Sequence, residues 1–447
     1  MTVIGVLGLI AAFIIVTLFT YKGMNLAYVV IIACLVVFVT NGMPILKSFA
    51  DPVFSGVATQ IPSLLPLYLF GGILGKLYLD SGASQKLSKV LLDLFCKKDD
   101  VVKRRFRGVI IVVVIGALFG FIGIDPYATL FIMIGIATGV CEEADIPRRY
   151  LPVMLILGTT LSGALPGSLS AQNVICANFL KGTSSLSAWF PGVVFCVFLI
   201  TVSFVYLRKQ IIMDTGKGLR FEYGPLKPPV EIDKTNYPPF LLTIIPLVIV
   251  PLCANTICKS YAWAAMAIGC VAACICFGRY IPKFEGTSRI RTVINSLNDG
   301  VTLAGIPAII LLNFALGYAV QAAPSFKVLQ NFFTSLAGPP LLILAIIGIV
   351  MLGISASMSG LIIALGVAAS VYIPYVGVDA DAVYRVLLCT NTVLDTLPFN
   401  AAVVTLFMIT GIKYKEGYPL VFRTTVLYTF IGTLIVALLL TVAPGLA

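Results

Sequence analysis

Two stretches of this sequence place hydrogen-bonding side chains where the surrounding residues are apolar. The first, SGALPGSLSAQN at 162–173, supplies Ser168, Ser170, Gln172 and Asn173. In the second, LDTLPFN at 394–400, Thr396 and Asn400 do the same, and SASMS at 355–359 adds Ser355, Ser357 and Ser359. All are neutral donors and acceptors, suited to holding a small oxygen-rich molecule. Two carboxylates join them, Asp125 in GIDPY at 123–127 and Asp395, and these are read as the carboxylates lying inside apolar runs. An ionised Asp at bilayer depth costs roughly 2.5–3.5 kcal/mol on insertion scales, so each needs a partner or a proton. Each is therefore a candidate for binding a coupling cation or carrying H⁺; capping a helix end is the structural alternative. Pro166 and Pro398 could by themselves do no more than kink a helix, and Ser or Thr often bonds back to its own helix. Four interruptions in corresponding positions are harder to explain that way.

Other chemistries are excluded by what the chain lacks. It contains 11 cysteines and no histidine, which removes His-dependent hydrolysis and His-mediated proton relay. The cysteines, among them Cys34, Cys196, Cys253 and Cys389, form no CxxC, and Cys270, Cys274 and Cys276 share a helix with no nearby carboxylate. They read as small core residues, so no metal site or cofactor is expected beyond a coupling ion. An intramembrane aspartyl protease would need a GxGD motif, which GFIGID does not provide, and SASMSG has no histidine base. A channel built on the same interruptions is a further alternative.

The elements that must position these groups are membrane spans. Of 447 residues 59% are hydrophobic and 11% charged, with a mean hydropathy of +1.05, more apolar surface than a soluble domain buries. The polar stretch 208–234 is too short to fold as a domain. The run 3–20 has neither a basic segment before it nor a cleavage pattern after it, so it reads as a retained span. The pattern predicts an all-α polytopic membrane protein of two repeats. The first (1–210) has scaffold spans within 3–80, a re-entrant hairpin at 108–141, a broken helix at 148–180 and a span at 187–207. A cytoplasmic linker at 211–237 leads to the second (238–447), with scaffold spans in 238–322, a hairpin at 340–373, a broken helix at 384–411 and a span at 419–443. IPSLLPLYLFGGILGKL at 61 parallels IPAIILLNFALGYAV at 306, and ALPGS at 164 parallels TLPFN at 396. With five crossings in each half, the halves are inverted.

Basic residues fix the orientation. They gather at 22, 86–107, 148–149, 208–234, 279–291 and 413–423, which puts these loops in the cytoplasm and both termini outside. The net charge of +11 then reflects membrane orientation and calls for no nucleic-acid partner. Lys76 is expected to snorkel toward the cytoplasmic surface. Two amphipathic segments precede the hairpins, with Leu87, Val90, Leu91 and Leu94 on one face of the first and Val328, Leu329, Phe332 and Phe333 on one face of the second. They are candidate interfacial arms lying against lipid. With no arginine placed at depth, a bound carboxylate would rely on helix ends and neutral donors.

ALPGSLSAQN at 164–173 and LDTLPFNAAVVTLFMITG at 394–411, followed by KEGYPLVF, resemble the gluconate permease family, within the ion transporter superfamily that includes dicarboxylate and citrate carriers. The resemblance runs over nearly the whole chain in order of elements, and these two stretches are its specific part. Members carry histidine in the second motif, as DTLPHN, where this sequence has Phe399. The resemblance implies H⁺ or Na⁺ symport of a small organic carboxylate such as gluconate or 3-hydroxybutyrate across the cytoplasmic membrane. It also implies a homodimer and an elevator-like movement; a dicarboxylate or citrate carrier of the same superfamily is the alternative.

Overall fold

The computed structural model describes residues 2–22, 24–96, 100–121, 126–168, 170–226, 237–258, 262–283, 288–308, 312, 314–334, 338–355, 364–365, 368 and 372–447. Among them all regular structure is helical. The first half holds α1 (Thr2–Tyr21), α2 (Leu26–Thr40), the single turn α3 (Ile45–Ser48), α4 (Ser55–Asp80), α5 (Ala83–Cys96), α6 (Val101–Phe121), α7 (Pro126–Glu143), α8 (Leu151–Ala164), α9 (Ala171–Phe179) and α10 (Trp189–Gly216). The second holds α11 (Phe240–Asn255), α12 (Ala262–Phe277), α13 (Arg289–Ala308), α14 (Phe314–Ala322), α15 (Pro324–Thr334), α16 (Pro340–Ser355), α17 (Ile373–Val376), α18 (Ala380–Asn391), α19 (Ala401–Thr410), α20 (Tyr414–Val421) and α21 (Tyr428–Val442). Among the described residues, three stretches are long and apolar enough to cross a membrane: Trp189–Gly216, Trp263–Tyr280 and Tyr414–Val442. Four shorter apolar ones are Val3–Phe19, Ala27–Thr40, Phe240–Val250 and Pro340–Gly353.

The packing of the two halves is reciprocal. α1 pairs with α2 as α11 does with α12, α4 lies on α12 while α14 lies on α2, and α5 touches α11 while α15 touches α1. α6 packs on α8 as α16 does on α18, and α10 meets α21. Small residues bring backbones together at the main crossings, as expected where lipid supplies no hydrophobic drive between helices. A Cβ on Gly300 of α13 would fall 2.6 Å from the Ile73 Cα of α4, and one on Gly158 of α8 would fall 2.9 Å from the Val113 carbonyl oxygen of α6.

Three local readings change. The apolar run beginning at 108 is part of a longer helix: α6 starts at Val101, inside the basic segment, because Asp100 accepts the Lys103 N–H at 2.7 Å and caps it. In α5, Leu87 and Leu92 are buried but Leu94 and Phe95 stand 72% and 54% exposed. The face it turns to α7 is a ridge of small polar residues, with the Ser88 Oγ donating to Ile136 O at 3.2 Å. Gly139 leaves no room there, since a Cβ would meet Ser84 and Ser88 at 2.8 Å. Close approach of the backbones set the register, so the leucine stripe did not. Of the second segment's face, Val328 is 40% exposed; the side chains of Leu329, Phe332 and Phe333 lie outside the described residues.

Lys76 does not snorkel. It is buried and pairs with Asp80, one turn on, at 2.9 Å, with Asp299 at 4.0 Å. The Ser296 Oγ donates to the other Asp80 oxygen at 2.8 Å. Asp80 is thus a buried carboxylate in addition to those picked out from the sequence. The pair sits on the α4–α13 crossing, where it has both a counter-charge and hydrogen bonds, the condition for a buried charge to be tolerated.

On the side assigned to the cytoplasm, the chain after α10 folds back as a strap. Asp145, at φ 53°, accepts the Phe221 N–H at 3.0 Å and pairs with Arg105 at 2.6 Å. Pro225 then packs over Gly411, the left-handed cap of α19. Burial raises the Asp145 carboxyl, but the Phe221 N–H and the Arg105 guanidinium outweigh this and hold it below the usual carboxylate range. A depressed folded pKa means the strap's attachment is fully present above the unfolded value, about 3.9, and is lost as pH falls through the folded one. Protection of the 219–223 amides, measured against their intrinsic exchange rates, is expected to fall as pH drops below about 3.9, and to be low throughout in Asp145→Asn.

Candidate functional site

Two helices are interrupted, and their halves exchange partners. α8 stops at Ala164 and α9 starts at Ala171; α18 stops at Asn391 and α19 starts at Ala401. α8 packs on α19, and α18 on α9, so each interruption is bracketed by the other broken helix.

The first break turns at Gly167, whose φ of +80° suits glycine. Its N–H donates to Ser185 O at 2.9 Å. Ser168 is buried, and its Oγ accepts the Ser170 N–H at 3.2 Å. Ser170 precedes α9, yet its side chain makes no capping bond to the helix. Its Oγ instead accepts from Asn173 Nδ2 at 2.9 Å, and the same amide donates to Gly163 O at 3.0 Å. Asn173 Oδ1 and main-chain O both take the Tyr384 hydroxyl, at 3.0 and 3.2 Å. Asn173 therefore ties both sides of its own break to α18. Gln172 is 8% exposed and its Oε1 has no hydrogen-bond partner among the described residues.

The second break is built differently. Asn400 caps α19, its Oδ1 accepting the Ala402 N–H at 2.8 Å, and its Nδ2 donates to Asp395 Oδ1 at 3.2 Å. Asp395 has no Lys or Arg within ion-pair distance among the described residues. The Thr396 hydroxyl is 2.7 Å from that of Thr425. Tyr418 and Tyr414 donate to Thr396 O and Pro398 O at 3.2 and 3.0 Å, fastening the loop to α20. Phe399 is fully buried, with its ring edge-on to Phe13 of α1 at 5.0 Å.

The structure thus brings Ser168, Ser170, Gln172 and Asn173 together in one break, and Asp395, Thr396 and Asn400 in the other. Asp125, Ser357 and Ser359 lie outside the described residues; Ser355 is the last residue of α16, and its side chain is not among those described. One expectation is overturned: an arginine does lie within a broken helix. Arg385 of α18 is fully buried, and its donors reach the carbonyls of Ala164, Ser185, Ser187 and Ala188. Tyr384 and Tyr418 were likewise missed, because a tyrosine in an apolar run reads as core until its hydroxyl's partner is seen.

A chain whose described residues form regular structure only as helices, several of them apolar, with two elements broken around buried polar groups, has the make-up of a helical membrane transporter. Consistent with that class, it is 24% identical over 449 residues, 92% of this chain and 93% of the relative, to a Bacillus subtilis (strain 168) protein named as the uncharacterized transporter YxjC. No family model matches the chain.

Proposed function

We propose that this protein is a secondary active transporter that carries a small organic carboxylate together with H⁺ or Na⁺ through a site made by the two breaks. The observation that carries the reading is their asymmetry. At the first break the N-terminus of α9 has no side-chain cap, and such an end, with free N–H groups and the positive pole of the helix, favours an anion. At the second, Asn400 already caps α19, while Asp395 keeps a carboxylate with only an amide partner among the described residues. One break is equipped for a carboxylate and the other for a cation, and their closeness lets the bound cation offset the anion's charge. Ser168, Ser170 and Gln172 then take the substrate's oxygens, while Asn173 and Asn400 hold the two breaks open.

The reciprocal packing of the halves supports inverted repeats, and the resemblance of the two motifs to gluconate permeases supports a hydroxy or keto acid as substrate. With no histidine in the chain and Phe399 packed on Phe13, any proton step falls to Asp395 or to Asp125. The same reading takes the protein as a homodimer in the cytoplasmic membrane, with both termini outside and an elevator-like movement. The test is uptake of labelled gluconate and 3-hydroxybutyrate into proteoliposomes under a pH gradient and then a Na⁺ gradient. Uphill accumulation is expected with one of the two ions. Citrate or succinate accumulating instead would move the substrate to the dicarboxylate class, and rapid equilibration without accumulation would make the protein a channel.

A further inference from the structure

Arg385 is the one fully buried cation among the described residues; its hydrogen-bond partners are all main-chain carbonyls, and its Cζ lies 5.6 Å from the centre of the Tyr384 ring. Its Nε donates to Ser187 O and Ala188 O at 3.0 and 3.1 Å, its Nη1 to Ala164 O at 3.2 Å, and its Nη2 to Ser185 O and Ser187 O at 3.1 and 2.6 Å. No carboxylate among the described residues lies within ion-pair distance of it. Arginine keeps its proton in proteins, so the charge is solvated by these dipoles but not cancelled.

Its position relative to the first break is specific. Ala164 is the last residue of α8, where unpaired carbonyls and the negative pole of the helix would repel an anion. Ser185 O, bonded to Nη2, also accepts the Gly167 N–H that makes the turn of the break. A Cβ on Gly192 of α10 would fall 2.8 Å from Pro166 Cγ and 2.9 Å from both Cζ and Nη1 of Arg385, so the guanidinium and the break's proline share the space over that glycine. Arg385 therefore meets the end of the break that disfavours an anion, while the α9 N-terminus supplies the end that favours one.

We propose that Arg385 is a positioning and specificity-determining residue: it neutralises the carbonyl end of α8 and so makes the first break selective for a charged carboxylate over a neutral molecule of the same shape. This rests on the carrier reading above. For an anion seated within about 7 Å, a unit charge at an effective dielectric of about 20 changes binding roughly 50-fold.

The experiment uses full-length protein in proteoliposomes and compares the KM for labelled gluconate with inhibition by glucitol, its neutral alcohol analogue. Arg385→Gln is expected to raise the gluconate KM roughly 50-fold with glucitol inhibition little changed, collapsing the preference for the charged molecule; Arg385→Lys should restore most of it. A role in packing alone would weaken both molecules together, and an unchanged gluconate-to-glucitol ratio in folded Arg385→Gln would overturn the proposal. If Arg385→Gln does not fold, Gly192→Ala decides: it keeps every charge but crowds the guanidinium against Pro166 of the break, and an unaltered ratio there overturns the proposal equally. Wild-type protein that transports none of the acids tested would strike the carrier reading itself, a result distinct from normal uptake with an unaltered ratio.

Discussion

Asp395→Asn is expected to lower ion-driven accumulation at least roughly 100-fold while the protein inserts and unfolds thermally as the wild type does. Within the described residues the carboxylate has one hydrogen bond, from Asn400 Nδ2 at 3.2 Å, and no basic partner. Asparagine has the same size and can still accept that bond, so the loop at 395–400 loses nothing structural. An unpaired charge in a span costs roughly 2.5–3.5 kcal/mol on insertion scales, so its removal should be neutral or stabilising for the fold. A 100-fold loss corresponds to about 2.7 kcal/mol, the same order as that cost, as expected if binding a cation or proton is what offsets it. Initial rates of gluconate uptake under the coupling gradient, beside the midpoint of thermal unfolding in detergent, separate the two effects. Full accumulation by Asp395→Asn would remove Asp395 from coupling and leave Asp125 as the remaining candidate. Asp395→Glu, longer by one methylene, is expected to keep part of the activity and to change its ion dependence.

The breaks were legible in the sequence because their signals are local. Glycine and proline in an apolar run mark a stop, and a short polar residue just before the next apolar run marks a restart, as Ser170 and Asn400 do. The partners of those residues were not legible, because they come from the other half of the chain. Tyr384 lies 211 residues from Asn173, and Arg385 lies 221 from Ala164; nothing in either segment's composition announces the other. Lys76 shows the same limit at shorter range. A lysine near the end of a span usually reaches for water, and only the approach of α13, which brings Ser296 and Asp299 to the Lys76–Asp80 pair, makes burial possible. Phe399 marks a further limit. Its difference from the gluconate permease motif that this stretch resembles was visible in the sequence, whereas the reason a large apolar ring fits there is the Phe13 ring of α1.

Asn173→Ala is expected to abolish measurable gluconate uptake and to lower the thermal midpoint, with insertion retained. The amide serves as a strut: it donates across its own break to Gly163 O and Ser170 Oγ, and its oxygen takes the Tyr384 hydroxyl. Truncation leaves Gly163 O and Ser170 Oγ short of a donor in a buried site, at about 1–3 kcal/mol for each such group. The hydroxyl of Tyr384 keeps the main-chain oxygen of residue 173 at 3.2 Å, so Tyr384→Phe should be milder, about 1 kcal/mol in stability. Because the two side chains share one bond, the double variant should fall short of the sum of the singles by about 0.5–1 kcal/mol. Additive losses would mean that Asn173 and Tyr384 act separately, so that α18 does not brace the first break. Wild-type uptake by Asn173→Ala would go further: a break that keeps working without its own tie does not shape the binding site, and the substrate would have to be sought elsewhere among the helices.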